Sequence, residues 1–125
     1  MGTKKLLITF VLAIGCAVLA APGMAATIPS GVTIHHSGHH RLFGYVFSQE
    51  TRCAKERRVR VFRQIGKEQN RRRDHAVGEE GSFKAPNGKY RWTYGRSHIR
   101  GRYYAVITKR HGCKGDASRT IHLKR

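Results

Sequence analysis

Four imidazoles fall within six residues, at His35, His36, His39 and His40. Neutral imidazole binds zinc, copper or nickel, so these four are the metal candidates of the sequence. Two features count against a built site. Adjacent residues of an extended chain point to opposite sides, and no nearby carboxylate is placed to orient a ring. The competing reading is an arm that gains charge in mildly acidic surroundings. No cofactor is expected.

The second kind of chemistry is cationic. The 125 residues hold 25 Lys and Arg against seven Asp and Glu, a formal charge of +18. That is more than solubility requires and suits polyanionic partners. If Val59, Val61, Trp92, Tyr103 and Ile121 face inward, strand alternation turns Arg58, Arg60, Arg91, Arg102, His122 and Lys124 outward, with Phe62 and Tyr104 among them. Phosphates attract arginines, and bases or sugar rings stack on aromatic rings. The binding candidates are therefore Arg58, Arg60, Arg91, Arg102, Tyr104 and Lys124, with the Arg71-Arg72-Arg73 run as a further contact at a loop tip. The competing reading is a set of ordinary solvated strand faces.

Catalytic constellations are poorly supported. A cationic ribonuclease needs two histidines as general acid and base, and a lysine for developing charge. His98, His111 and His122 are available, but no spacing forces two of them together. The few carboxylates fall mostly in loop-like stretches. No Gly-rich phosphate loop or nucleophile elbow is present. The chain reads as a non-enzyme.

The clearest strand is 101–108, aromatic and β-branched, between Gly101 and Gly112. Tyr103, Ala105 and Ile107 fall on one face, with Tyr104, Val106 and Thr108 on the other. Residues 41–48 form another strand, with Leu42 and Val46 opposite Phe43, Tyr45 and Phe47, and Gly44 leaving room for close packing or a bulge. In 57–65, Val59, Val61 and Ile65 face inward. A charged loop spans 66–73, a short strand 74–77, a turn 79–81 and a short strand 82–85, ended by Pro86-Asn87-Gly88. Strand 89–94 sets Tyr90, Trp92 and Tyr94 against Arg91 and Thr93, with Trp92 the core anchor. Strand 118–123 buries Ile121 and Leu123. Residues 26–40, with Pro29, two glycines and the histidines, read as a flexible arm, either paired with the sheet or free of it. No helical period is sustained outside the N-terminal leader. Together these predict a single small all-β, antiparallel sandwich of about seven strands over 41–125.

Residues 1–25 read as a secretory signal peptide. Lys4 and Lys5 precede an apolar run from Leu6 to Leu19, and Gly23-Met24-Ala25 supplies small residues for cleavage near Ala25 or Ala26. The run is short for a membrane span, so no transmembrane anchor is expected after cleavage. Losing Lys4, Lys5 and Cys16 would leave 23 basic and seven acidic residues, a charge of +16. Cys53 and Cys113 then remain in an exported chain. A disulfide between them is the simplest reading, two free thiols the alternative. The link would restrict the unfolded chain by roughly 4 kcal/mol.

Gly44-x-Val46, Val59-x-Val61-Phe62, Glu80-Gly81-Ser82-Phe83 and Gly101-x-Tyr103 resemble a pattern found in prealbumin-like sandwiches, the Cna B-type and carboxypeptidase regulatory-like domains. The resemblance covers roughly 41–123 and implies a prealbumin-like or Ig-like layout. Many Cna B-type domains carry a self-formed Lys–Asn isopeptide bond. Here strand 41–48 has no lysine and 118–123 no asparagine, so that bond is not carried over and a disulfide would take its place. The cysteine placement also resembles that of small secreted basic bacterial proteins of unknown function. The expected function is a secreted or cell-envelope interaction module for anionic envelope polymer, with nucleic acid second. The alternative is a cationic antimicrobial or ribonuclease-like hydrolytic effector.

Overall fold

The computed structural model describes residues 28–38, 41–95 and 100–124. The expected leader and its cleavage point, together with His39, His40 and His98, lie outside the described residues. Along the described chain run β1 (Ser30–Val32), β2 (His35–His36), β3 (Leu42–Ser48), a single helical turn α1 (Thr51–Ala54), β4 (Arg58–Gln64), β5 (His75–Gly81), β6 (Phe83–Lys84), β7 (Tyr90–Tyr94), β8 (Gly101–Ile107), β9 (Asp116–Ala117) and β10 (Ile121–Leu123). They form two antiparallel sheets. The first has the order β1-β3-β7-β6, with β2 also on β3. The second has the order β10-β8-β4-β5, with β9 also on β8.

Period-two alternation builds the core between the sheets. Leu42, Val46, Trp92 and Tyr94 from the first sheet meet Val59, Val61, Tyr103, Ala105, Ile107, Ile121 and Leu123 from the second. Each large aliphatic buried this way contributes about 1.5–3 kcal/mol relative to exposure. Trp92 is fully buried, and its Nε1 donates to the carbonyl of Thr33 at 3.0 Å. Gly44 lets those groups approach, because a Cβ there would collide with the Thr33 carbonyl and the Trp92 ring. Cys53 and Cys113 form a disulfide, their Cα atoms 5.6 Å apart.

Arg57 lies beside that disulfide and is 1% exposed. Its guanidinium donates to the carbonyls of Cys53 (2.8 Å), Thr108 (2.7 Å) and Lys114 (2.8 Å) and to Ser30 Oγ (3.3 Å). A buried cation is costly unless hydrogen-bonded, and here three backbone carbonyls and a serine hydroxyl take the place of a carboxylate. Burial, with Arg110 nearby, pulls its pKa down from the usual guanidinium value.

Several expectations need correction. Of the two readings of the N-terminal arm, residues 30–36 take the paired one. β1 and β2 pair with β3, and Val32 and Ile34 enter the core. Their apolar spacing was masked by Pro29, Gly31 and the histidines. Glu79-Glu80-Gly81 is not a turn but the end of β5, where Glu79 lies opposite Arg60 and 3.5 Å from Arg58. Opposite charges across a ladder favour strand over turn. Ile65 does not face inward. It falls just after β4 and is 55% exposed.

The largest correction concerns Phe62 and Tyr104. Both do point away from the main core, but neither reaches solvent. They stack with centroids 5.4 Å apart and form a second buried cluster with Val106. The 65–74 connection folds over this side. Asp74, itself buried, accepts hydrogen bonds from Tyr104 Oη (2.6 Å) and from the amides of Ile65 (3.0 Å) and Asn70 (2.7 Å). Gln69 Nε2 ties the same loop to the Ser118 carbonyl and Thr120. Residues 66–73 are exposed as expected, yet they are tied down at both ends.

Candidate polyanion-binding face

The six residues chosen from the sequence do not share one surface. Arg58, Arg60 and Arg102 occupy the outer face of the second sheet. Arg60 lies level with Val106, whereas Arg102 lies level with Gln64, four residues further along β4. At ~3.3 Å per residue this separates Arg60 from Arg102 by ~13 Å and Arg58 from Arg102 by ~20 Å, with the covered Phe62–Tyr104 cluster between them. Arg58 is engaged with Glu79, and the Arg60 guanidinium lies 5.2 Å from the centroid of Phe62. Lys124 is exposed just past β10. Tyr104 is 0% exposed, so the expected stacking surface is not there. Its hydroxyl is committed to Asp74, and burial followed by that carboxylate raises its pKa well above the usual phenol value.

Arg91 lies on the other sheet, and around it a different site takes shape. The core-facing Leu42, Gly44 and Val46 force Phe43, Tyr45 and Phe47 onto the outer face of β3. On β7, the core position of Trp92 does the same for Arg91. The register puts Tyr45, Arg91 and Phe83 in one row across three strands, and His35, Phe43 and Thr93 in the next. The Arg91 guanidinium carbon lies 4.4 Å from the Phe43 centroid, and Lys89 Nζ lies 5.5 Å from that of Tyr45. Such contacts hold a cation over a ring without neutralising it. Arg91 Nε is shielded from solvent and has no hydrogen-bond partner. Phe47 and Phe83 are 58% and 48% exposed.

Charge is segregated between the sheets. None of the five strands of the first sheet contains Asp or Glu, whereas Glu79, Glu80 and Asp116 lie on strands of the second. The first sheet therefore presents cations and rings with no carboxylate of its own, and the nearest hydrogen-bonded one is Asp116, whose Oδ2 accepts from Val32 N on the β1 edge at 3.0 Å. A groove of about 520 Å³ opens beside it, between Tyr45 and Phe47 on β3, Thr51 on α1 and the Gly88–Tyr90 turn.

Of the histidines, His35 packs against Phe43 and Tyr45, with centroids 5.4 and 6.2 Å away. Burial, then the charge of Arg119, lowers its pKa. His36, the next residue of β2, pairs opposite Leu42 and is exposed. Among the described residues no three His, Cys, Asp or Glu side chains gather into a metal-holding group. His122 lies opposite Arg102 near the start of β8, and His111 follows that strand's far end, so these two candidate acid–base partners are not brought together.

Phe43, Tyr45, Phe47, Phe83 and Lys89 were not among the sequence candidates. The signal was present in the sequence: small or aliphatic groups at 42, 44 and 46 alternate with three aromatics, and no carboxylate lies between 27 and 49. Comparison with known proteins finds no matching family model, no matching curated protein and no matching solved structure. The class that fold and surface define is a small all-β protein of two antiparallel sheets with one disulfide.

Proposed function

We propose that this protein is a secreted or cell-envelope binding module, without catalytic activity, that holds anionic polymers on the outer face of its first sheet. The observation that carries the reading is the arrangement of that face: Arg91 and Lys89 lie over Phe43 and Tyr45, exposed rings flank them, and the sheet's strands carry no carboxylate. Cations preplaced over rings keep their charge and lose little freedom when an anion arrives. The leader-like residues 1–25 and the disulfide support an oxidising, exported address. The prealbumin-like or Ig-like layout belongs to the same proposal, supported by the Gly-x-Val and Val-x-Val strands and the two facing sheets.

The test is binding of a labelled polyanion as salt is varied. Each contact that displaces a condensed counterion adds to the slope of log affinity against log salt. Replacing Lys89 and Arg91 by Gln is expected to weaken binding at least tenfold and to reduce that slope by about 1–2. Neutralising Arg58 and Arg60, which removes the same charge from the second sheet, should cost less than threefold. Equal losses from both pairs would mean that net charge alone binds, and the site would be withdrawn.

A further inference from the structure

We infer that the polymer held on this face is single-stranded nucleic acid. The inference rests on the binding role proposed above and names the ligand. In the row Tyr45–Arg91–Phe83, Arg91 rises from the strand between the two that carry the rings, and its guanidinium reaches over Phe43 in the next row. One step along β3, the Phe47 ring lies over Gly31 of β1 and forms a wall of the 520 Å³ groove, which Lys89 lines as well. The two most open rings, Phe47 and Phe83, are thus separated by the cationic pair Lys89 and Arg91. A path across the face reads ring, cation, ring.

A polynucleotide matches that order, because its flat bases alternate with phosphates. In a polymer of uronic acids the charge is borne on the sugar ring itself, and in polyphosphate there is no ring at all. Neither gives separate partners to the open phenylalanines and to the cations between them. Geometry also selects single over double strands. Bases within a duplex are stacked at 3.4 Å and offer no free face. The rings along β3 repeat every second residue, at ~7 Å, and the route from Phe47 to Phe83 crosses two strand spacings, ~10 Å, as well. Only an unstacked strand can lay a base on each. The groove beside Phe47 receives one base, Arg91 and Lys89 take the intervening phosphates, and Phe83 receives the next base that reaches it. Stacking of this kind tolerates any sequence, since every base has a π-face.

The experiment compares four probes at one ionic strength, by fluorescence anisotropy on the disulfide-linked protein, three of them matched in charge and the duplex carrying twice that charge. They are a twelve-residue oligothymidylate, an abasic deoxyribose-phosphate oligomer of equal length, the oligothymidylate in duplex with its complement, and a uronic acid oligosaccharide. The expected result is at least tenfold tighter binding of the oligothymidylate than of any other probe. Phe47→Ala with Phe83→Ala should abolish that preference while leaving affinity for the abasic oligomer within threefold. Because Phe47 packs over Gly31, melting of the variant is measured alongside. Phe83→Ala alone and the ring-preserving Phe47→Tyr provide a loss and a retention that do not depend on that contact. If abasic and base-bearing oligomers bind alike, or the uronic acid oligomer binds best, the inference fails while the binding role stands. If no probe binds in a salt-dependent way, the binding role itself fails.

Discussion

Replacing Arg57 probes the least conventional element of this fold. Its guanidinium is the sole side-chain donor reaching the carbonyls of Cys53, Thr108 and Lys114 in the described bonding, and none of its four partners is a carboxylate. In Arg57→Met the stem still packs, but three carbonyls near the protein interior lose their donor. An acceptor left bare in this way costs about 1–3 kcal/mol. Three such losses give ~3–9 kcal/mol, offset in part because a charge no longer has to be dehydrated. A net loss of ~3–5 kcal/mol is expected, a large share of the ~5–15 kcal/mol typical of a whole domain. Arg57→Lys should recover little. An ammonium keeps the charge, but its three donors cannot span the fork that a planar guanidinium fills. Urea unfolding under non-reducing conditions, followed by Trp92 fluorescence, measures both variants. A loss below 1 kcal/mol in Arg57→Met, or near-complete recovery with lysine, would refute the claim that acceptor geometry holds this end of the sheets together.

Replacing Cys53 and Cys113 by serine should lower stability by ~2–5 kcal/mol. Combined with Arg57→Met the losses should add to less than their sum, since both devices tie the same two segments, and a double-mutant cycle reads the difference. Asp74 supplies a pH dependence. Burial alone would push its carboxyl up, but the bonds from Tyr104, Ile65 and Asn70 together hold it below the ordinary value of 3.8. A folded pKa lowered in this way stabilises above the unfolded value and is lost as pH falls through the folded one, so Asp74→Asn should flatten the stability profile below about pH 4. Tyr104 titrates in the opposite sense: its raised pKa means that stability falls as pH climbs past the ordinary phenol value of 10.0, and Tyr104→Phe should remove that decline.

How much of this was legible in the sequence follows from how local each signal is. Alternation depends on near neighbours, so the seven longer or better punctuated strands, Trp92 and the inward Ile121 and Leu123 could all be read. So could the two cysteines, once an exported chain was supposed. What alternation cannot say is whether the outward face of a strand meets water. Tyr104 and Phe62 were assigned to the correct side and the wrong environment, because their cover comes from a loop whose anchor, Asp74, looks like any polar loop residue until Tyr104 is above it. Nor does alternation say which sheet a strand joins. Alternation alone groups Arg91 with Arg58 and Arg102, although β7 pairs with β3 and not with β4 or β8. Arg57 was hidden for a different reason. A buried arginine bonded to backbone carbonyls has no partner residue type to search for.

The position of the disulfide relative to the Arg71-Arg72-Arg73 tip has a topological consequence. A cut within 71–73 would divide the chain into one piece containing Cys53 and another containing Cys113. The sheets interleave those pieces: β4 from the first is flanked by β5 and β8 from the second, and β3 from the first by β7 from the second. A protease able to reach the exposed arginines would therefore open the backbone without freeing either part. The product would be a two-chain molecule sealed by one covalent bond, with the first sheet's outer face still assembled from both pieces. A cut at that tip need not end the working life of this protein.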